Sequence, residues 1–175
     1  MLNLKKEITI NMEDIKFTGN VLDIGCENYG IVYNVFKESI KNKNNINVEY
    51  INGKEEKELI KKGIYDVCVM LFSLNNIWLT KSKKDFIEDI SSYLKEGGIL
   101  HIWDIDKGYN KTFNGDIRIL LPNRRLKKIS IKDFNVFKDN SKDKVEYLLK
   151  DSFHIKEKKS LKGIYYIKAV KREKL

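Results

Sequence analysis

Val21-Leu22-Asp23-Ile24-Gly25-Cys26-Glu27-Asn28-Tyr29-Gly30 begins as a short apolar run and reaches glycine at its fifth residue. Ile31, Val32, Val35, Phe36 and Ile40 then follow at helical spacing, so the stretch reads as strand, tight turn and helix. The pattern recurs downstream. Ile46 to Ile51 alternates weakly and ends at Asn52-Gly53, and Glu55 to Lys62 predicts a short helix closed by Gly63. Tyr65 to Leu74 is almost continuously apolar, as a parallel strand covered on both faces must be, and is expected to be central. Ser82 with Asp85 predicts a capping box, Phe86, Ile87, Ile90 and Leu94 a buried stripe, and Gly97-Gly98 a helix stop before a strand over Ile99 to Ile105. Alternating strands and helices imply an α/β domain with right-handed crossovers.

Beyond Asp106 the pattern changes. Asp116 to Leu121 and Arg124 to Ile131 flank Pro122-Asn123, which predicts a hairpin inserted within about 107–135. Lys142 to Leu149 predicts a further helix with Val145, Leu148 and Leu149 on its apolar side, and His154 to Lys158 and Ile164 to Val170 predict closing strands. The 175 residues contain one Pro and no evident linker, so one domain is expected over 1–175.

Composition narrows the function classes. The longest apolar stretches are strand-sized, short of the roughly 20 residues that a membrane-spanning helix needs. Lys5, Lys6 and Glu7 precede only a short Ile8 to Ile10 run, unlike a secretory signal, so a cytoplasmic location and no membrane partner are expected. Cys26 and Cys68 lack metal-ligand spacing, so neither a metal site nor a disulfide is expected. The chain has 34 basic and 25 acidic residues, a net charge of +9 that attracts polyanions, yet 30 of the 34 are Lys, as AT-rich coding alone would produce. Arg118, Arg124 and Arg125 share one short window, where forked guanidinium groups can hold phosphate or carboxylate or simply face water at a hairpin tip.

The first strand-to-helix turn of an open parallel sheet is the usual ligand position. Gly25 lets the backbone turn sharply and approach a ligand, Gly30 opens the helix, and Asp23 ends the strand, where a carboxylate can meet an ammonium. A dinucleotide fingerprint places its second glycine where Glu27 stands, and that side chain repels a pyrophosphate. S-adenosylmethionine carries no phosphate, has a positive sulfonium and ammonium, and tolerates acids beside its tail.

On these residues the chain resembles the class I S-adenosylmethionine-dependent methyltransferases. VLDIGCENYG is similar to their first motif, YDVCVMLFSLNNI to their fourth strand and following loop, and SYLKEGGILHIWDI to their LKPGG turn and fifth strand. KDSFHIKEKKSLKGIYYIKAVKR is similar to their last helix and antiparallel strand pair, so the resemblance covers Val21 to Asp106 and Val145 to Arg172. It implies a Rossmann-like α/β fold: a mostly parallel sheet with an antiparallel last strand and helices on both faces. It also implies S-adenosylmethionine as cofactor, held at Asp23, Gly25, Cys26 and Gly30, with Leu71 and Phe72 lining the pocket at the end of the fourth strand.

Two departures stand out. Glu27 replaces the family's central glycine, with Gly30 displaced by one residue. Gly25 and Tyr65 are only 40 positions apart, so one strand-helix unit is expected to be missing. If NVEYING is the second strand, Glu49 can hold the ribose hydroxyls. If it is the third, that acid is absent and Lys54 replaces the one expected by the adenine.

Methyl transfer by in-line displacement requires alignment more than a protein nucleophile. A general base serves acceptors that carry a proton, and Asp104, Asp106 and His101 are the candidates, with Tyr109 nearby. His101 alternates within a strand and reads as packed core, which leaves Asp104 as the expected catalytic residue and Tyr109, Arg118 and Arg124 as expected acceptor contacts. Leu74-Asn75-Asn76 stands where some amino methyltransferases carry an Asn/Asp-Pro-Pro-aromatic motif. The acceptor is a small molecule or RNA. Two other classes remain open: a methyltransferase-fold module that binds cofactor weakly and regulates, and a basic nucleic-acid-binding domain using the hairpin.

Overall fold

A computed structural model describes residues 5–25, 30–39, 48–52 and 60–173, the strand at 48–52 by its backbone. The elements in chain order are β1 (Lys6–Asn11), β2 (Val21–Gly25), α1 (Ile31–Ser39), β3 (Val48–Asn52), β4 (Tyr65–Leu71), α2 (Thr80–Tyr93), β5 (Leu94–Ile105), β6 (Phe113–Leu120), β7 (Leu126–Asp133), α3 (Lys142–Leu149), β8 (Phe153–Leu161) and β9 (Ile164–Lys171). The main sheet has six strands in the order β3-β2-β4-β5-β9-β8. Its β3, β2, β4 and β5 run parallel, and β9 pairs antiparallel with both β5 and β8.

Alternation along these strands sends side chains to two cores. Leu22, Cys68, Met70, Leu100, Ile102 and Ile167 face α2 and α3, which bury Ile87, Ile90, Val145, Leu148 and Leu149 against them. Val21, Val67, Val69, Leu71, Trp103 and Ile105 face the other way, toward Ile31, Val32, Val35 and Phe36 of α1. Helices therefore lie on both faces, as expected, and β4 sits in the sheet interior.

The short Ile8 to Ile10 run has a larger part than the sequence indicated. β1 pairs parallel with β6, and β6 pairs antiparallel with β7, forming a second sheet in the order β1-β6-β7. The expected hairpin is thus longer, Phe113–Leu120 with Leu126–Asp133, and it packs as a layer on the α1 face of the main sheet. Ile8, Ile10 and Met12 are buried in that layer, roughly 2 kcal/mol each, which explains how a six-residue strand docks so far from its sequence neighbours.

Three local expectations are corrected. α2 begins at Thr80 with Leu79 at its N-cap and no side-chain cap, three residues after a 3-10 turn at Leu74–Asn76, so Ser82 lies inside the helix. The helix ends at Tyr93, and β5 begins at Leu94 instead of Ile99. Leu94 pairs with Tyr65 and Ile99 with Val67, so Lys95 to Gly98 bulge out of the ladder, with Gly97 at φ 71°. β4 stops at Leu71, since the next residue leaves strand geometry.

The open alternatives for NVEYING are resolved at the backbone. β3 pairs directly with β2, Asn52 opposite Gly25, so it occupies the second-strand position and a six-strand sheet results. The expected helix over 55–62 falls largely outside the described residues.

Candidate functional site

From β2 the chain moves outward to β3 and then returns to the other side as β4, so the direction of winding reverses at β2. Helix α1 and the 3-10 turn leave from the carboxyl ends of β2 and β4 and open a crevice there, the usual ligand position of such sheets. Asp23, Gly25, Leu71 and Phe72 stand together at these ends, with Asp23 opposite Val69 in register. Cys26 lies outside the described residues.

Asp23 is 7% exposed. Burial pushes its carboxyl up to about 7, and the carboxylate has no hydrogen-bond or ion-pair partner among the described residues. A carboxylate held this way is an unfilled demand for a cation or a proton. Burial and the Asp23 charge together raise the neighbouring Cys68 thiol well above its ordinary range, so that sulfur is an inert core group. Gly30 opens α1 at φ 63°, a conformation that L side chains rarely adopt. Its carbonyl accepts from the Asn34 N–H at 3.1 Å and the Asn34 side-chain amide at 2.5 Å.

The end of β4 holds a feature that the sequence did not announce. Phe72 is buried with φ 55°, in the left-handed region, which costs a non-glycine residue about 1 kcal/mol or more. Hydrogen bonds on both sides hold it there. The Phe72 N–H donates to the Trp103 carbonyl of β5 at 2.8 Å, and the Ser73 hydroxyl donates to the Ile24 carbonyl of β2 at 2.5 Å. The Asn76 side-chain amide donates to the Phe72 carbonyl at 3.1 Å. The crevice floor is therefore pinned to both neighbouring strands.

Asp104 does not stand free at the rim. It is fully buried, and its carboxylate accepts from the Asn75 N–H at 3.0 Å, the Ile105 N–H at 2.7 Å and the Asn140 amide at 3.0 Å. Burial pushes it up to about 6 against the lowering effect of these donors. With its donors in place it ties the loops after β4 and β5 to the entry of α3, a set of contacts that the expectation of a general base did not include. Sequence reasoning also missed three buried lysines in the same frame. Lys83 Nζ donates to the Asp139 carbonyl and Asn140 Oδ1, both at 2.7 Å, and burial lowers its pKa to about 8. Lys138 reaches the Asn75 carbonyl at 2.5 Å and Asp133 at 2.7 Å. Lys107 donates to the Asn135 carbonyl at 2.5 Å and the Lys138 carbonyl at 3.0 Å. Lysines in a run of surface-type sequence carry no mark that announces such burial.

His101 is core, as its alternation suggested. Its Nδ1 lies 3.0 Å from the Tyr166 hydroxyl, its ring stacks on Trp103, and burial lowers its pKa to about 4. Glu49 lies beside Leu22, three positions before the strand end, so Asn52 and not Glu49 holds the rim position of β3. Tyr109 is exposed in the loop after β5. Arg118 sits on the outer face of the second sheet, ion-paired to Glu7 at 3.0 Å, and Arg124 forms the β6–β7 turn at φ 59°. Hairpin geometry absorbs both arginines, and neither is brought to Asp23 by a described contact.

Compared with protein-family models and with curated proteins, the sequence finds no match. Solved structures do match. The PH0226 protein of Pyrococcus horikoshii OT3 aligns with TM-score 0.58 at 17% identity over 92% of this chain and 85% of its own. A SAM-dependent methyltransferase of Methanosarcina mazei aligns with TM-score 0.54 at 16% identity over 89% of this chain and 93% of its own. The [4+2]-cyclase SpnF aligns with TM-score 0.59 at 11% identity over 91% of this chain and 76% of its own. The chain has the Rossmann-like methyltransferase fold, in a shortened form.

Proposed function

We propose that this chain binds S-adenosylmethionine in the crevice at the carboxyl ends of β2 and β4 and transfers its methyl group to an acceptor. The observation that carries the proposal is the buried Asp23 carboxylate, without a partner among the described residues, at the end of the first strand of a methyltransferase-fold sheet. An ammonium is the group that such a carboxylate accepts, and the cofactor's methionyl tail bears one. When bound, the cofactor supplies an electrophilic methyl on a sulfonium.

The chain's own residues bind and align. Asp23 accepts hydrogen bonds from a cationic head, and the backbone of Gly25 allows close approach where a side chain would intervene. Phe72, clamped at both ends, presents a rigid wall, and such preorganisation is what an in-line displacement requires of a protein. Of the candidate bases, Asp104 already accepts three hydrogen bonds, Asp106 accepts from the Lys142 N–H, and His101 is packed against Tyr166. An acceptor that is already a nucleophile at neutral pH suits this site.

Calorimetry with S-adenosylmethionine and S-adenosylhomocysteine tests the proposal. Micromolar binding by the wild type that Asp23→Ala abolishes is the expected result. No binding at millimolar ligand overturns the proposal and leaves a methyltransferase-fold module that acts by other means. The cyclase among the structural neighbours is a reminder that this architecture carries more than one chemistry.

A further inference from the structure

The net charge is unevenly placed. Residues 142–172 hold ten basic and four acidic side chains, so they carry +6 of the chain's +9. Residues 117–132 of the β6–β7 hairpin hold a comparable excess, six basic and no acidic side chains, but only the 142–172 unit adds an exposed aromatic ring, Tyr147, to it. That unit is α3, β8 and β9, and β8 is an edge of the main sheet. Lys156, Lys158, Lys159 and Lys162 are exposed along β8 and its turn. The outer side of α3 shows Lys144, Tyr147 and Lys150, with the Lys150 and Lys144 ammonium groups 4.0 Å and 5.7 Å from the centre of the exposed Tyr147 ring. Lys158 pairs with Glu146 and Lys159 with Glu157, whereas Lys144, Lys150, Lys156 and Lys162 have no carboxylate partner among the described residues.

Both lines of charge lead to the carboxyl end of β5, the strand beside β4. The Lys142 N–H donates to Asp106 at 3.0 Å, so α3 starts just beyond β5, and the Asp106 N–H donates to the Gly163 carbonyl at 2.8 Å, so the β8–β9 turn arrives at the same place. Exposed rings rim this end. The loop before α3 carries Phe134 and Phe137, 55% and 72% exposed, and a bond from the Asn110 N–H to the Val136 carbonyl joins it to the exposed Tyr109. Trp78, 59% exposed, precedes α2, whose Lys83 grips Asp139 of the same loop. The buried lysines hold these loops in place, so the rings are displayed on rigid supports.

The geometry points to a docking track for single-stranded nucleic acid, with phosphates along the lysines of α3 and β8 and bases stacked on Tyr147 and on the aromatic rim. Lysine alone would suit any polyanion, but the interleaved rings single out one whose units present flat π faces, the combination found in single-strand binders. The hairpin expected to serve this purpose carries a comparable charge but is less suited, because no aromatic residue lies between positions 114 and 133 and Arg118 is spent on Glu7. As a binding surface the track stands alone; as the path of a methyl acceptor it rests on the methyl-transfer proposal.

Fluorescence anisotropy of a fluorescein-labelled oligouridylate, measured on the full chain without cofactor across a salt series, tests it. The triple variant Lys144→Glu, Lys150→Glu, Lys156→Glu is expected to bind at least about tenfold more weakly, with a log–log salt slope shallower by about 2. Tyr147→Ala is expected to weaken binding about fivefold or more while Tyr147→Phe retains it. The hairpin variant Lys127→Glu, Lys128→Glu is expected to bind like the wild type. Wild-type affinity in the triple variant, an equal loss in the hairpin variant, or binding to phosphatidylserine vesicles without binding to the oligonucleotide overturns the inference. Failure of cofactor binding in the calorimeter leaves this readout untouched, so the two proposals fail separately.

Discussion

Asp23→Asn should make the protein more stable, by an amount that depends on pH. In the folded state burial holds the carboxyl near 7, and in the unfolded chain it returns to about 3.9. At about 1.4 kcal/mol per pH unit, keeping Asp23 ionised in the fold costs about 4 kcal/mol above neutral pH. The sign follows from proton counts. Between about pH 4 and pH 7 the folded state binds the proton and the unfolded state does not, so wild-type stability falls as pH rises through this window and the loss is complete above it. An asparagine does not titrate. The advantage of Asp23→Asn over the wild type therefore grows from its acid value by about 4 kcal/mol between pH 4 and pH 8, which is about 8–16 °C in Tm for a chain of this size. Paired thermal melts and urea titrations at pH 4, 6 and 8 provide the assay. A difference between the two proteins that stays flat across pH would refute the reasoning, because it would mean that the folded carboxylate is already compensated.

Affinity for S-adenosylmethionine should fall by up to about tenfold per pH unit below 7 and level off above it, since the ammonium needs the ionised Asp23; calorimetry across that range checks it. Asp104→Ala should cost about 3 kcal/mol or more in urea unfolding, because the Asn75 and Ile105 N–H groups and the Asn140 amide all lose their acceptor. Unchanged stability with a lost rate would instead restore Asp104 as a base. Gly19→Ala should destabilise by about 2 kcal/mol, because Gly19 lies at φ 81° and a Cβ there overlaps the Asp66 carboxylate that accepts the Asn20 N–H. A melting temperature within a degree or two of wild type would contradict that.

The main sheet was legible because its signals are local. The apolar run of Tyr65 to Leu71 can only be a strand buried on both faces, and the spacing of Val145, Leu148 and Leu149 defines one side of a helix whatever it packs on. Asp23 and Gly25 were legible as a site for the same reason, since strand, acid and glycine are read in order along a few residues. The surroundings of Asp104 were not legible, because a strand-end aspartate looks the same in sequence whether it faces a ligand or accepts from Asn75 and Asn140, residues far away along the chain.

The sequence by itself determined the periodicities, and with them the α/β class, the central strand, the position of the first turn and the shortfall of one strand-helix unit. Tertiary structure alone decided the rest. It placed β1 beside β6, more than a hundred residues away, because Ile8, Ile10 and Met12 are too few to specify a partner until a complementary apolar face exists. It decided that Asp23 is buried without a partner among the described residues while Asp104 is buried with three, that Phe72 is left-handed, and that Lys83 of α2 and Lys107 after β5 converge on the loop that carries Lys138. Periodicity is a property of neighbours along the chain. Charge state, strain and access depend on which distant atoms replace water around a group, and those are assembled only when the chain folds.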